Sequence, residues 1–376
     1  MVRFVHTADW QLGMRRHYLD AEAQGRFSQD RLDAVAAVGR LAAEQGAAFV
    51  VVAGDVFDDN QVDRRTVLRA LEVLRGFPDV PVLLLPGNHD PMDAGSVLLG
   101  DELRDRCPPQ VRVVTDSTPI EVAEGVEVVG APWPVKRPVR NPALEVLEEL
   151  APTDRTRVLL AHGGVDAAAG EFDQPGILRL DDLEAAVHAD RVHYVALGDR
   201  HSTTAVGSTG RIWFSGAPEP TAYVEHDPGN ALVVDVDRDR VTATPHRVGR
   251  WRFRQAVFDV AGEQDLEEVL RWLEEPADKP HTIAKLALRG TLTLRDRARL
   301  DAALASAAET YGALEEWDRH AQLLTTPDED DLDRMEVGGF VASAVEELRA
   351  RAADGGDDAE VAGDALALLY RTVVRA

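Results

Sequence analysis

Along the first two hundred residues, short aliphatic runs alternate with amphipathic stretches, and each run stops abruptly at polar side chains. Residues 82–85 (VLLL) carry no polar face, as expected of a strand covered on both sides in an α/β sheet. Residues 49–53 (FVVVA), 158–161 and 194–197 repeat the scheme, and a short strand opens the chain at residues 4–9. Between the runs, residues 30–45 place Leu32, Val35, Val38, Leu41 and Ala42 at helical spacing, and residues 64–75 do the same with Val67, Leu68, Leu71 and Leu74. Each is predicted to be a crossover helix packing one face on a sheet. Strand and helix in alternation imply parallel pairing through right-handed crossovers. From Val111 the strands shorten (VRVVTD, VEVVGAPWP), so two packed sheets flanked by helices fit the pattern. The alternating, turn-rich stretch after His201 is predicted to run antiparallel and close the second sheet.

A boundary is expected at residues 248–251, which gives three segments: 1–248, 249–327 and 328–376. The middle one reads as a βαβαβ unit, with strands at 253–260, 282–288 and 314–324 and helices at 265–274 and 296–307. The acidic run PDEDDLD (327–333) reads as a linker. Two amphipathic helices follow, marked by Val337, Val341, Val345 and Leu348 and by Val361, Ala365, Leu368 and Val373, with DGGDD at 354–358 between them.

Composition narrows the picture. At 376 residues the chain can build more than one core without staples. Its single cysteine, Cys107, forms no internal disulfide, and no apolar run is long enough to span a bilayer. The start MVRFVHTADW reads as a strand entering a motif, not as a charged leader before an apolar stretch, so a soluble cytoplasmic protein is expected, with no membrane partner. The formal charge of −25 argues against a broadly basic nucleic-acid surface, because phosphate affinity rests on Lys and Arg. It leaves room for an enzyme that grips phosphates through metals and a few local arginines, or borrows affinity from a partner. Arg15, Arg16 and His17, just past the first strand tip, either steer phosphate or form a solvated loop.

The chemistry lies in what the runs deliver. Asp9 and Gln11, then Asp55 and Asp58, then Asn88, His89 and Asp90, then His162, then Asp199 and His201 each follow a strand. Carboxylate, amide and imidazole from five separate strand tips are what two neighbouring divalent cations need, with one carboxylate shared.

The ordered blocks HTADWQLG, GDVFD, LLLPGNHD, a lone His162 and YVALGDRH resemble the calcineurin-like metallophosphoesterases, whose motifs run D.H, GD..D, GNH[DE], His and GH.H. Within that superfamily they look most like the SbcD-type DNA repair nucleases. The resemblance covers about residues 1 to 245. It implies a four-layer αββα sandwich, a small α+β capping domain that contacts DNA, and a helical tail that docks on the coiled coil of an SbcC-type ATPase; packing of the tail on its own domain fits the sequence equally well. It further implies a dimer. Carried over by position, Asp9, Gln11, Asp55 and His201 hold one metal, and Asp55, Asn88, His162 and Asp199 the other. His89 becomes the general acid, with Asp90 orienting its ring.

Two positions depart from the pattern: Gln11 stands where the family has His, and Asp199 replaces the first His of GH.H. Each exchanges a nitrogen donor for an oxygen, which suits Mn²⁺, or Mg²⁺, better than Zn²⁺. Both side chains are shorter in reach than an imidazole, so one of them would meet its metal only through water. The reading is a Mn²⁺-dependent DNA exo- or endonuclease subunit. The alternatives are a degenerate adaptor of an SMC-like ATPase, or a small-molecule phosphodiesterase.

Overall fold

The computed structural model describes residues 1–166, 176–326 and 339–353, with isolated positions between 359 and 369. The acidic run at 327–333, the DGGDD stretch, Val337 and Val373 therefore fall outside the described residues. The chain divides into two compact units that meet in sequence at Trp251 and Arg252.

The first unit holds two six-stranded sheets. In one, β1 (Val2–Thr7), β2 (Val50–Val52), β3 (Val82–Leu84) and β4 (Val111–Val113) run parallel. In the other, β6 (Val126–Gly130), β7 (Thr156–His162) and β8 (Tyr194–Gly198) run parallel, with β5 (Ile120–Ala123) antiparallel at one edge. The faces between the sheets share one core, in which Phe4, Phe49, Val51 and Leu83 meet Val128, Leu160, Tyr194 and Ala196. Phe4 and Phe49 stack with their ring centroids 4.6 Å apart. The outer face of the first sheet is covered by α1 (Ala21–Glu44) and α2 (Arg64–Arg75), and a short α3 (Asp101–Arg106) follows β3. The outer face of the second is covered by α4 (Pro142–Glu149) and α5 (Leu180–His188). The result is helix, sheet, sheet, helix, as the apolar patterning predicts.

Two expectations for this unit are corrected. α1 begins nine residues before the predicted start, capped by Asp20, whose side chain accepts from the Ala23 amide at 2.7 Å. Its first turns bury Ala23, Phe27 and the guanidinium of Arg31, and a charged residue on the inner face hides the period. The antiparallel stretch after His201 does not stay in one sheet. β9 (Thr204–Val206) and β10 (Ile212–Phe214) extend the second sheet, β10 parallel to β8. β11 (Asn230–Val236) and β12 (Val241–Arg247) cross to the first sheet and lie antiparallel beside β1 and each other. The physical reason is burial: β11 is apolar on both faces, and a place between β1 and β12 covers both, with Leu232 and Val234 in the inter-sheet core and Ala231 and Val233 under the helices.

The second unit is a parallel four-stranded sheet of β13 (Arg252–Val260), β14 (Thr282–Thr293), β15 (Ala313–Glu316) and β16 (Gln322–Thr326). α6 (Glu263–Glu274) and α7 (Leu294–Thr310) pack on it through Leu266, Val269, Leu273 and Leu300. The single strand expected over 314–324 is two. β14 is long enough to pair with β15 and then β16 in succession, and a 3₁₀ turn at Asp318–His320 steps between them, its His320 carbonyl held by Arg289 Nε at 2.9 Å. A helix, α8 (Phe340–Ala353), follows.

Candidate metal centre

Every candidate ligand sits just beyond the carboxyl end of a parallel strand, where α/β sheets gather their sites. β1 leads to Asp9 and Gln11, β2 to Asp55, β3 to Asn88 and His89, β7 ends on His162, and β8 leads to Asp199 and His201. Backbone bonds lock the tips together: the Asp9 amide donates to the Gly54 carbonyl at 3.0 Å, and the Gln11 amide to the Asp55 carbonyl at 2.9 Å. Ligand atoms of Asp9, Asp55 and His162, all buried, lie within 4.8 Å of one another. His162 Nε2 is 2.7 Å from the Asn88 side chain, 3.4 Å from Asp55 Oδ1 and 3.7 Å from Asp199 Oδ1. The Asp199 amide donates to Asp9 Oδ1 at 2.9 Å.

The tips are bent into uncommon conformations. Asp9, Gln11, Asp55 and Asp199 take φ of 54°, 44°, 54° and 94°. Left-handed backbone at a non-glycine residue is costly and persists where surrounding structure imposes it, often at sites of function. Gly54 and Gly198 make room: a Cβ on either would fall 2.2 Å and 2.9 Å from His162 Nδ1.

Both imidazoles are oriented from behind. His162 Nδ1 meets the Ala53 carbonyl at 2.8 Å, so it carries a hydrogen and leaves Nε2, facing Asn88 and Asp55, to take a metal or a second proton. His201 Nδ1 meets Glu225 Oε1 at 3.0 Å and Thr221 Oγ1 at 2.6 Å, and its Nε2 faces Gln11 Nε2 at 3.1 Å. A carbonyl or carboxylate behind one ring nitrogen is the usual support of a metal-binding His.

The electrostatics call for positive charge. Burial foremost pushes the Asp9 carboxyl up to about 6, although His201 and His162 oppose it. For His162, burial would lower the pKa, but the carboxylates of Asp55, Asp199 and Asp9 outweigh it and raise the ring to about 9. The buried amides point the same way. Gln11 is 2% exposed and its Oε1 has no hydrogen-bond partner among the described residues. The Asn88 amide faces both Asp55 oxygens, at 3.2 and 3.3 Å, as well as His162 Nε2. With nitrogen on that side it donates to them; with oxygen there, carboxylate, amide and imidazole converge as acceptors and require a cation between them. The donor set thus fits divalent metal, including the two positions that depart from the motif.

His89 lies at the edge of this cluster, its amide 3.0 Å from Asp55 Oδ1 and its Nδ1 2.6 Å from the Asp58 carbonyl. The expectation that Asp90 orients this ring is corrected. Asp90 is buried, and its two oxygens accept from the amides of Gly87 at 2.8 Å and Phe57 at 3.0 Å, so it fastens the β3 loop to the β2 loop while Asp58 holds the imidazole. Nor is Arg16 a free phosphate ligand: its Nη2 donates to the Thr221 carbonyl at 2.6 Å, bracing the segment behind His201.

Sequence reasoning did not single out Thr221, Glu225, Arg31 or Asn141. Arg31, fully buried, donates to the carbonyls of Trp10 (3.2 Å), Gln11, Glu219 and Pro220 (3.4 Å each), tying the first strand tip to the segment that supports His201. Trp133 is buried and donates Nε1 to the His162 carbonyl at 3.0 Å. Asn141 Nδ2 donates to the same carbonyl at 2.9 Å. Asn141 just before Pro142 does signal a helix start, which it caps, but nothing local signals its second task.

Residues 2–203 match the model of the calcineurin-like phosphoesterase family. The chain is similar to the DNA double-strand break repair protein Mre11 of Haloferax volcanii, 28% identical over 295 residues, which cover 77% of this chain and 62% of that protein. The Mre11 of Halobacterium salinarum is 28% identical over 254 residues, 64% of this chain and 58% of that one. The SbcD component of the nuclease SbcCD of Rhodobacter capsulatus is 30% identical over 94 residues, 24% and 22% of the respective chains. The chain thus spans about six-tenths of the length of the first two relatives. With the family's model covering more than half of its length and the ordered strand tips converging on one buried donor cluster, the chain belongs to the calcineurin-like phosphoesterases.

Proposed function

We propose that this protein is a metal-dependent phosphodiesterase that cleaves DNA, working as the nuclease subunit of an SbcCD-like repair assembly with a coiled-coil ATPase partner. The observation that carries the reading is the pair of back-braced imidazoles, His162 on Ala53 with Nε2 toward the buried Asp55 carboxylate, and His201 on Glu225 with Nε2 toward the buried Gln11 amide. In this reading Asp9, Gln11, Asp55 and His201 hold one divalent cation, Asp55, Asn88, His162 and Asp199 hold the other, and Asp55 is shared. The oxygen-rich set favours Mn²⁺, with Mg²⁺ as its substitute. Bound there, the two cations would neutralise phosphate charge and lower the pKa of water. The chain's own part is to fix the imidazoles, exclude bulk water from Asp9 and Asp55, and supply a proton. His89, its Nδ1–H anchored on the Asp58 carbonyl, would protonate the departing oxygen from Nε2 of its imidazolium and return to the neutral ring. The capping role of the second unit, tail docking and homodimerisation belong to the same proposal, supported by the resemblance to the repair nucleases.

One observation favours the adaptor reading instead: Gln11 presents nitrogen to nitrogen at His201, a hydrogen bond that occupies the imidazole Nε2 without metal. The test is cleavage of an end-labelled duplex and a single strand with Mn²⁺, Mg²⁺ or Zn²⁺, with Asp55→Ala as control. Mn²⁺-dependent cleavage lost in the variant is expected. Hydrolysis of a generic diester without DNA cleavage would redirect the reading to a small-molecule substrate, and silence on both would favour the adaptor.

A further inference from the structure

The segment between β6 and α4 stands on the metal centre by both ends. Trp133 Nε1 and Asn141 Nδ2 donate to one atom, the carbonyl oxygen of His162, at 3.0 and 2.9 Å. Trp133 is further fixed by its amide to the Pro86 carbonyl at 3.1 Å, and its own carbonyl accepts from the Met92 amide at 2.9 Å, so this foot also grips the loop that carries Asn88 and His89. Both feet need the bare Cα of Gly163: a Cβ there would lie 2.5 Å from Asn141 Nδ2 and 3.4 Å from the Trp133 ring. Between the feet runs PVKRPVR, residues 134–140, seven residues with three cations and no acid in a chain of net charge −25. All but the buried Pro138 are exposed, Val139 to 96% and Val135 to 45%. Arg140 is paired with Glu148 through two hydrogen bonds. Lys136 and Arg137 have no ion pair or hydrogen bond among the described residues.

An exposed valine beside unpaired cations contributes nothing to the fold, and two prolines restrict the segment, which lowers the ordering cost of a contact. Arg137 lies four residues from either foot, at most about 14 Å of chain, so the cations stay within a few nucleotides of the donor cluster. We propose that residues 134–140 form a rigid basic arch, anchored on the His162 carbonyl, that binds the nucleic-acid strand next to the bond to be cut, Lys136 and Arg137 meeting its phosphates and Val139 a base face or sugar. The inference rests on the nucleic-acid part of the function proposed above and names residues for it in a protein whose overall charge repels DNA.

The test is binding of a fluorescein-labelled single strand and a duplex by the whole chain, read by anisotropy over a range of salt, for wild type and Lys136→Ser with Arg137→Ser. Arg104→Ser with Arg106→Ser, on the exposed helix after β3, is the charge-matched control, and thermal melting checks folding. The arch variant is expected to bind at least tenfold more weakly, with the slope of log affinity against log salt reduced by about 1.5 to 2 for two lost phosphate contacts. The control should bind nearly as wild type. Equal weakening in both variants, or none in the arch variant, overturns the proposal, as does a wild type that binds neither oligonucleotide. Mn²⁺-dependent hydrolysis of a generic diester by wild type is scored separately, so failure of catalysis with DNA binding intact would remove the enzyme reading and leave the arch.

Discussion

His6 and His162 are both buried completely, yet their surroundings drive them in opposite directions. His6 sits in the inter-sheet layer with Nε2 on the Leu197 carbonyl at 3.2 Å and Nδ1 on the Tyr194 hydroxyl at 3.0 Å. A carbonyl only accepts, so Nε2 carries the hydrogen and Nδ1 accepts from tyrosine: a neutral ring, satisfied on both sides. Burial lowers its pKa to about 3, against 6.5 for the free side chain. Because the unfolded chain then takes up the proton first, this residue's contribution is full above about pH 6.5 and is lost as pH falls toward 3, at about 1.4 kcal/mol per unit. Urea titrations between pH 4 and 8 should show a shallower acid limb for His6→Gln, which keeps polar contacts but does not titrate; an unchanged limb would refute it. His162 instead is surrounded by carboxylates, so its site wants a cation. The residues behind the ligands bear on that cation's affinity. In the proposed two-metal site, Glu225→Gln should weaken one Mn²⁺ ion by about 10- to 100-fold in calorimetry and spare the other, because only His201 loses its carboxylate. Asp9, Asp55, Asn88 and His162 are legible in the sequence because each ends an apolar run. Glu225 and Arg31 are not, since their targets lie far along the chain and nothing local marks the pairing.

At the scale of elements, amphipathic period is a good guide wherever one face is apolar. α2 occupies the predicted residues because Val67, Leu71 and Leu74 point inward without interruption. The apolar period makes α1 too short because Arg31 takes an inward position, and that same residue makes the helix a brace for the site. Burial lowers its pKa to about 10, which leaves it charged at neutral pH. Arg31→Met should cost about 2–4 kcal/mol, as four carbonyls lose a buried donor. If Arg31 positions the site as well as the core, the variant should also bind Mn²⁺ less tightly at temperatures where it is fully folded; unchanged affinity would confine it to stability. β11 and β12 carry the opposite lesson. Their alternation identifies strands, but which sheet they join depends on which edge is open, and that is a property of the assembled layers.

At the scale of the molecule, the cores are separate: three clusters lie within residues 1–251 and the fourth within the second unit. Trp251 closes the first unit, its indole donating to Asp30 at 2.9 Å and its ring edge-on to Phe27. A fragment of residues 1–251 should therefore fold alone, with one cooperative melt and retained metal binding. A molten fragment lacking a sharp transition would show that the second unit is required. No helix among the described residues is long and apolar enough to cross a membrane.

By itself the sequence determined the alternation of strands and helices, the order of the polar tips and their character as candidate metal donors, because backbone period and side-chain chemistry are local. Only the tertiary structure decided that Asp90 fastens a loop while Asp58 holds His89, that β11 and β12 leave the second sheet for the first, and that both ends of a basic segment rest on the His162 carbonyl. Each of these is a choice among partners distant in sequence, made by burial and by the need to satisfy every buried polar group, and such choices exist only once the layers have closed.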